Sequence, residues 1–454
     1  MTPAGNPGSG KDWPEALCTP VRHLPDHSHL RIALSGGMDS VLLLHVATWL
    51  YAHSGQISAV HINHQLQPNA DQTERFCRSI CRQLGVPLDS HRVTVSGRES
   101  SDIGASGGGI EEAARNARYQ VFEEILAPGE LLLMAHHGDD QAETVLFRLL
   151  RGTGMAGLGG MPVTRPLGAG RLYRPLLDFS RAELHGWAVQ HGIEWMEDPS
   201  NIDERFDRNF LRTSIFPLLK SRWPSLISRM GHTAHSCREG DELAAKLAEI
   251  HFKQCAGPSG ELCLSALGAL SLAEQKNLLR WWARYFRYQP PAIADWSQVL
   301  EDFLSSPADR EPELRGTGFV IRRFRGCLYL VPEFTKLPAG KPVLVPDQAL
   351  SWGGWRLTLA ASGKPKTPAP EIRVSTRAGG ERIRPAPGGP SKLLKNWLQE
   401  KNVPPWERAR LPLLLEVVGG HEEVVGAGDL WVSGKYCGEA PASGWRIVVE
   451  RECN

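Results

Sequence analysis

Two short stretches of the chain carry residue types that can work on a phosphate ester. The first is Ser35-Gly36-Gly37-Met38-Asp39-Ser40. Its paired glycines let the backbone come close to a bulky anion. The second is His136-His137-Gly138-Asp139-Asp140-Gln141-Ala142-Glu143-Thr144, with two imidazoles and two adjacent carboxylates. A carboxylate there can hold Mg²⁺ on phosphates or take a proton, and an imidazole can donate to a developing charge. A metal-hydrolase centre with His and Asp as direct ligands uses the same letters, but it leaves the glycine pair unexplained. A helix start with Asp139 or Asp140 as N-cap is compatible with either chemistry.

The elements that position these stretches follow from the apolar pattern. Ile32 to Leu34 reads as a strand and Val41-Leu42-Leu43-Leu44 as the body of a helix, so the glycine turn aims the helix's unpaired N–H groups at an anion. A Walker A loop needs Gly-x4-Gly-Lys-Ser/Thr and a dinucleotide loop needs Gly-x-Gly-x-x-Gly; neither fits. The competing reading is an ordinary turn, which Ser, Gly and Asp favour. Further strands are expected at 57–62, 91–95 and 131–135, and helices at 73–84, 110–126 and 140–150. That alternation predicts an α/β domain with a Rossmann-like parallel sheet, whose ligands bind beyond the carboxyl ends of the strands. Both stretches would then share one crevice.

Other segments offer candidates with ordinary alternatives beside them. His61-Ile62-Asn63-His64 closes the second strand and reads either as an adenine or ribose contact or as a solvated strand end. Arg115 and Arg118 share a helix face with Glu111, which plain ion pairing explains as well as substrate contact does. Residues 96–109, rich in Ser and Gly, read as a mobile loop. Residues 151–173 are too glycine-rich to predict helix or strand and read as a lid or clamp beside the crevice, or as a flexible loop. Arg205, Arg208 and Arg212 fall on one helix face, a solvated stripe or a phosphate-binding one.

The whole composition sets the frame. The 454 residues suggest about three domains. Lys and Arg number 51 against 50 Asp and Glu, so nucleic-acid binding has to come from local patches. No apolar run is long enough to cross a bilayer, and residues 1–28 lack the pattern of a secretory signal and read as a disordered leader. The nine cysteines are scattered, with no Cys-x-x-Cys pair, and a cytoplasmic location with free thiols is expected. Helical patterns dominate from 215 to about 310, where Lys276 to Tyr288 interleaves basic and aromatic residues. Residues 319–331 look like a hairpin, the proline-rich 332–346 like a linker, and the remainder like a small β-rich domain. In that tail Arg373, Arg377, Arg382, Arg384, Lys392, Lys395 and Lys401 outnumber the acids around them.

These motifs, in this order and spacing, resemble the tRNA(Ile)-lysidine synthetases, within the PP-loop ATP pyrophosphatases. The resemblance rests on Ser35 to Ser40, His61 to His64, Glu111 to Tyr119, His136 to Thr144, Arg151 to Gly154, Glu197 to Asn201 and Arg208-Asn209, and in the tail on Arg377 to Arg382, Lys392 to Leu398 and Val403 to Arg408. One position departs: Gln67 stands where the family's arginine is expected. The resemblance implies a catalytic domain at 29–217, a mainly helical tRNA- or substrate-binding domain at 218–335 and a basic tRNA-binding domain at 347–454. It implies an enzyme that adenylates the wobble cytidine of a tRNA(Ile) with a CAU anticodon, using ATP and Mg²⁺, and then joins free L-lysine to it. The product would read AUA instead of AUG. Ser35, Gly36, Gly37, Met38, Asp39 and Ser40, with His61, would bind the nucleotide. Asp39 and Asp140 would hold the metal, His136 would assist adenylation, and Arg115 and Arg208 would contact nucleotide or substrate charge. The nearest alternative is a PP-loop tRNA thiolase, which commonly needs paired cysteines. A non-catalytic RNA-binding module or an amidotransferase are more distant ones. Whether the chain forms a homodimer is left open.

Overall fold

A computed structural model describes residues 13–51, 55–65, 69–93, 109–197, 207–291, 293–307, 310, 312–333, 337–338, 340–362, 368–386, 388–438, 441 and 443–452, with side chains between 109 and 197 described from residue 113. Gln67, Arg205, the side chains of Glu111 and Glu112, most of the 96–109 run and residues 198–206 fall outside that set. The chain divides into two compact units, residues 1–246 and 247–454.

The first unit is built on six strands: β1 (His29–Ala33), β2 (Ile57–Asn63), β3 (Leu88–Arg92), β4 (Glu130–Leu133), β5 (Thr164–Leu167) and β6 (Gly170–Tyr173). Their order is β3-β2-β1-β4-β6-β5, parallel except for β5, which runs antiparallel to β6 at the edge. Burial on both faces explains the unbroken apolar lettering of Val60, Leu131, Leu132 and Leu133. Among the described residues seven helices accompany the sheet: α1 (Glu15–Arg22), α2 (Met38–Tyr51), α3 (Ala70–Leu84), α4 (Gly109–Ile125), α5 (Gly138–Leu150), α6 (Met155–Leu158) and α7 (Arg181–Gln190). Val41, Leu42, Leu43, Leu44, Val46 and Ala47 of α2 are all buried, so this helix is covered nearly all round. One core joins α2 to Leu30, Ile32 and Leu184, and another joins Phe122 to Leu132 and Leu172. The order of strands changes direction at β1, so the crevice expected from the alternation opens between the carboxyl ends of β1 and β4.

Three expectations are corrected. Residues 13–28 are not a disordered leader: Trp13, Leu17, Cys18 and Val21 recur at helical spacing and bury against the core, and Trp13 stacks on His191 at 4.2 Å. Few apolar residues suffice when all fall on one face. Residues 151–173 are not one loop but α6 followed by the β5–β6 hairpin. Their glycines take turns while Gln141 and Arg148 of α5 tie the segment down: Gln141 accepts the Met161 amide at 2.6 Å, and Arg148 donates to the carbonyls of Gly157 and Gly160. Within 332–346, Leu344 is buried in the C-terminal core and its amide donates to the Ile372 carbonyl at 2.8 Å, so the later part of that segment is not a free linker.

At the carboxyl end of β2, Glu74 of α3 accepts from Asn63 at 2.9 Å and from Arg78 at 2.8 Å. Those two bonds hold its carboxyl down at about 2 against the opposing effect of burial. A carboxyl depressed in the fold contributes stability above its ordinary value of 4.5, and that contribution disappears as pH falls toward about 2. Glu74→Gln is therefore expected to lower stability by about 1–3 kcal/mol at neutral pH and to flatten the acid limb of the unfolding curve, as measured by denaturant titration between pH 2 and 7.

After α7 come α8 (Asp207–Phe210), a π-helical turn at Leu211–Ile215, α9 (Phe216–Arg222) and α10 (Leu226–Cys255). The second unit continues with α11 (Leu264–Gly268), α12 (Leu272–Tyr285) and α13 (Trp296–Ser305). A four-stranded sheet of β7 (Leu262–Cys263), β8 (Glu313–Gly316), β9 (Phe319–Phe324) and β10 (Cys327–Pro332) packs with them around Trp282, Phe303 and Phe319. The β9–β10 hairpin turns at Arg325 and Gly326 with φ of 49° and 75°, the paired left-handed conformation of a tight hairpin turn. The basic-aromatic stretch splits: Leu278, Leu279 and Trp282 are core, whereas Tyr285 and Phe286 are exposed. Among the described residues beyond 340 lie three further antiparallel sheets: one of Ala349–Trp352, Trp355–Ala361 and Trp445–Arg451, one of Ile372–Ser375, Leu413–Val418, His421–Ala427 and Trp431–Val432, and a two-stranded one of Arg382–Ile383 and Lys392–Leu393. Among the described residues no helix is long and apolar enough to cross a membrane.

Candidate active site

The glycine turn sits where β1 hands over to α2. Gly36 has a φ of +87°, and a Cβ built there would lie 2.7 Å from Thr73 Cγ2 and 3.2 Å from Cys77 Sγ. Only glycine fits that backbone in that space. The two serines lock the turn from inside. Ser40 Oγ accepts the Ser35 amide at 3.1 Å, lies 3.0 Å from Ser35 Oγ and donates to the Gly37 carbonyl at 2.9 Å. The Gly36 carbonyl accepts the Met196 amide at 3.0 Å. The loop is thus shaped by its own bonds, and the first-turn amides of α2, which have no intrahelical acceptor, remain for an anion.

Opposite it, the start of α5 brings two carboxylates together through His137. This residue, not Asp139 or Asp140, is the N-cap: its Nδ1 accepts the Asp140 amide at 3.4 Å, while Asp140 Oδ2 accepts the His137 amide at 3.1 Å. The ring proton therefore sits on Nε2, 3.4 Å from Asp140 Oδ2 and 3.7 Å from Asp39 Oδ2. Asp139 turns away, accepting the Arg181 amide at 2.8 Å and pairing with Lys220. Burial pushes the Asp39 carboxyl up, and Asp140 adds to that rise against His137. Asp140, despite its burial, is held down at about 2 by His137, Arg208 and the bond from the His137 amide.

Asp39 Oδ1 is buried and has no hydrogen-bond partner. An unused carboxylate oxygen beside a second carboxylate and an anion-binding turn suits a hard divalent cation such as Mg²⁺. That ion commonly takes one or two carboxylates and fills its remaining positions with phosphate and water. Among the described residues no cluster of three or more His, Cys, Asp or Glu side chains forms a complete protein cage.

Two arginines close the corner. Arg208 Nε donates to Glu143 Oε2 at 3.0 Å and its Nη2 to Asp140 Oδ1 at 3.4 Å. Arg212, on the π-helical turn, reaches the same two acids, at 2.7 Å to Glu143 Oε1 and 3.3 Å to Asp140 Oδ1. On the other side, His136 receives at Nδ1 a bond of 3.2 Å from Arg174, whose Nη1 also binds the Pro162 carbonyl at 2.7 Å. Burial pushes the His136 imidazole down to about 3, with Arg174 and Arg118 adding to that against Asp140, so it is neutral and its proton lies on Nε2. Arg174→Met is expected to lower kcat about 10- to 100-fold with little change in the KM for ATP, measured by steady-state kinetics, because the ring loses the bond that fixes its tautomer.

The structure brings Ser35, Gly36, Gly37, Met38, Asp39, Ser40, Asp140 and Arg208 to one crevice, with His136 beside Asp140. Arg115 is exposed and lies over the Tyr119 ring at 5.1 Å, where Arg165 and Arg174 also converge. His61 is not a solvated strand end: it is buried and its Nδ1 lies 2.8 Å from the Leu34 carbonyl, bracing the residue just before the turn. The sequence reading missed His137 as cap and bridge, and Arg174, Glu143 and Lys220 as partners. Glu143 was legible in principle, since it sits three residues from Asp140 on the same helical face.

A glycine-turn anion site between two parallel strands, with carboxylates across the crevice, defines the PP-loop class of nucleotide-binding α/β proteins, and a family model described as a PP-loop domain matches residues 15–219. Models described as the TilS substrate binding domain and the TilS substrate C-terminal domain match residues 262–329 and 372–449. The chain is 41% identical over 405 residues to the tRNA(Ile)-lysidine synthase of Pseudomonas aeruginosa, covering 84% of this chain and 86% of that one. It is 38% identical over 453 residues to the synthase of Pectobacterium atrosepticum, covering 96% and 98%. The chain belongs to the tRNA(Ile)-lysidine synthase family of ATP-using ligases.

Proposed function

We propose that this enzyme uses ATP to adenylate the wobble cytidine of a tRNA(Ile) with a CAU anticodon and then joins free L-lysine to carbon 2 of that base. AMP and diphosphate leave, and the decoding changes from AUG to AUA. The observation that carries this reading is the placement of the Gly36 turn, Asp39, Asp140 and His136 at one strand-order reversal in a chain of this family. The turn from Ser35 to Ser40 holds the triphosphate. Asp39 and Asp140 hold Mg²⁺, which neutralises phosphate charge when bound, and the commitment of Asp139 to Lys220 and Arg181 favours Asp140 as the partner. His136 Nε2–H donates to the oxygen being adenylated, and Arg115 and Arg208 meet nucleotide and substrate charge. No protein nucleophile is needed, because the lysine amine displaces AMP.

The Asp140, Glu143, Arg208 and Arg212 group presents both signs of charge, which suits the α-amino and carboxylate ends of lysine. Residues 218–335 and the basic 347–454 hold the tRNA. The thiolase reading is weakened by sulfur chemistry: Cys77, beside the turn, is pushed by burial up to about 12 and Cys81 to about 11, leaving both thiols inert. Incubation with ATP, labelled lysine and a CAU-anticodon tRNA tests the proposal. Label should enter the RNA with AMP release that depends on both lysine and tRNA. ADP formation, or label-free RNA, would overturn it.

A further inference from the structure

β7 is a two-residue edge strand paired antiparallel to β10, with Cys263 opposite Cys327 and Leu262 opposite Leu328. The Leu264 amide donates to the Gly326 carbonyl at 2.8 Å. That bond makes the Leu264–Gly326 position the hydrogen-bonded one, so the two cysteines occupy the adjacent non-hydrogen-bonded position. There, the Cα atoms of an antiparallel pair approach to about 4.5 Å with side chains on one face. A disulfide requires Cα atoms about 4.4–6.8 Å apart with facing Cβ atoms. Both cysteines are unbonded and partly exposed. We propose that Cys263 and Cys327 form an oxidisable dithiol, a site that a hydroperoxide converts into a reversible disulfide.

The two thiols differ in a way that suits the chemistry. Cys263 Sγ lies 3.1 Å from Ser265 Oγ, and the Ser265 hydroxyl, the amides of Ala266 and Ser265, and Cys327 hold it below the usual thiol range. Burial holds Cys327 above that range. The Cys263 thiolate attacks one peroxide oxygen. The O–O bond breaks, a sulfenic acid forms, and the leaving hydroxide takes a proton to become water (or an alcohol, from an organic peroxide). The Cys327 sulfur then attacks the sulfenyl sulfur; the S–S bond forms, the S–O bond breaks and a second water leaves. Two thiols are oxidised and one peroxide is reduced.

The bond would join the first and last strands of the segment matched as the substrate binding domain, residues 262–329, and close a long loop. The test uses the full chain treated with hydrogen peroxide, then intact-mass measurement and non-reducing peptide mapping. The expected result is a species two hydrogens lighter with a peptide linking Cys263 to Cys327, reversed by dithiothreitol and unfolding about 5 °C higher than the reduced chain. In Cys327→Ser the link is lost and Cys263 accumulates as a sulfenic acid that dimedone traps. Unlinked thiols after peroxide treatment, or a Cys255–Cys263 link in its place, would overturn the assignment.

Discussion

Asp140→Asn is expected to lower kcat/KM for ATP-dependent lysine incorporation about 1,000-fold, with a smaller loss of stability. The amide keeps the side chain's shape and an oxygen for the His137 amide, so α5 remains capped. What disappears is the negative charge between His137 on one side and Arg208 and Arg212 on the other. Glu143 remains to pair both arginines, at 3.0 and 2.7 Å, which limits the structural damage and confines the effect to the crevice. Steady-state kinetics alongside thermal unfolding separates the two consequences. A variant with wild-type turnover would refute the role assigned to this carboxylate. Asp139→Asn supplies the contrast: it removes the charge facing Lys220 and is expected to show mainly as lost stability.

Gly36→Ala is expected to weaken ATP binding at least about 100-fold, because the residue is caught twice. Its φ of +87° is one that an L side chain adopts at a cost of about 1–2 kcal/mol. Its new methyl would also meet Thr73 and Cys77 of the buried face of α3 at 2.7 and 3.2 Å. Relief comes only by pushing the turn outward, into the volume a phosphate would occupy. Equilibrium nucleotide binding and unfolding temperature should both fall. Gly37→Ala is the control, since a Cβ there meets only Ser35 Oγ, at 3.5 Å, and its effect should be much smaller.

How much of this was legible in the letters depends on the range of the interaction. The glycine turn and the α/β alternation are local: Ile32 to Leu44 announces strand, turn and helix through apolar spacing alone, and the crevice follows from the rule of parallel sheets. The order of the glycine segment before β5 was hidden because it comes from Gln141 and Arg148, residues on a different element that bind its carbonyls and an amide, and the β5–β6 hairpin was hidden because β6 is placed by pairing with β4, some 40 residues earlier. The α1 helix was hidden because its stability is tertiary; Trp13 and Leu17 carry no periodic signal strong enough to stand out from the prolines around them. At the site, Asp140 and Arg208 were visible as types, yet their pairing spans 68 residues of sequence, and only the fold shows that Arg208 and Arg212 reach the same two acids. The cap at His137 was missed for a different reason. Imidazole is an uncommon acceptor at a helix start, so the neighbouring aspartates drew the assignment.

The four-membered charge group of Asp140, Glu143, Arg208 and Arg212 is electrically complete with nothing bound. A zwitterion entering there, as proposed for lysine, would exchange partners rather than meet bare charges. The gain per contact would be small and the attraction modest, but a molecule missing either its amine or its carboxylate would leave an opposite charge unpaired in a half-buried recess. Such a corner would separate zwitterions from singly charged molecules; because every α-amino acid carries both charged ends, any choice among side chains has to come from other residues.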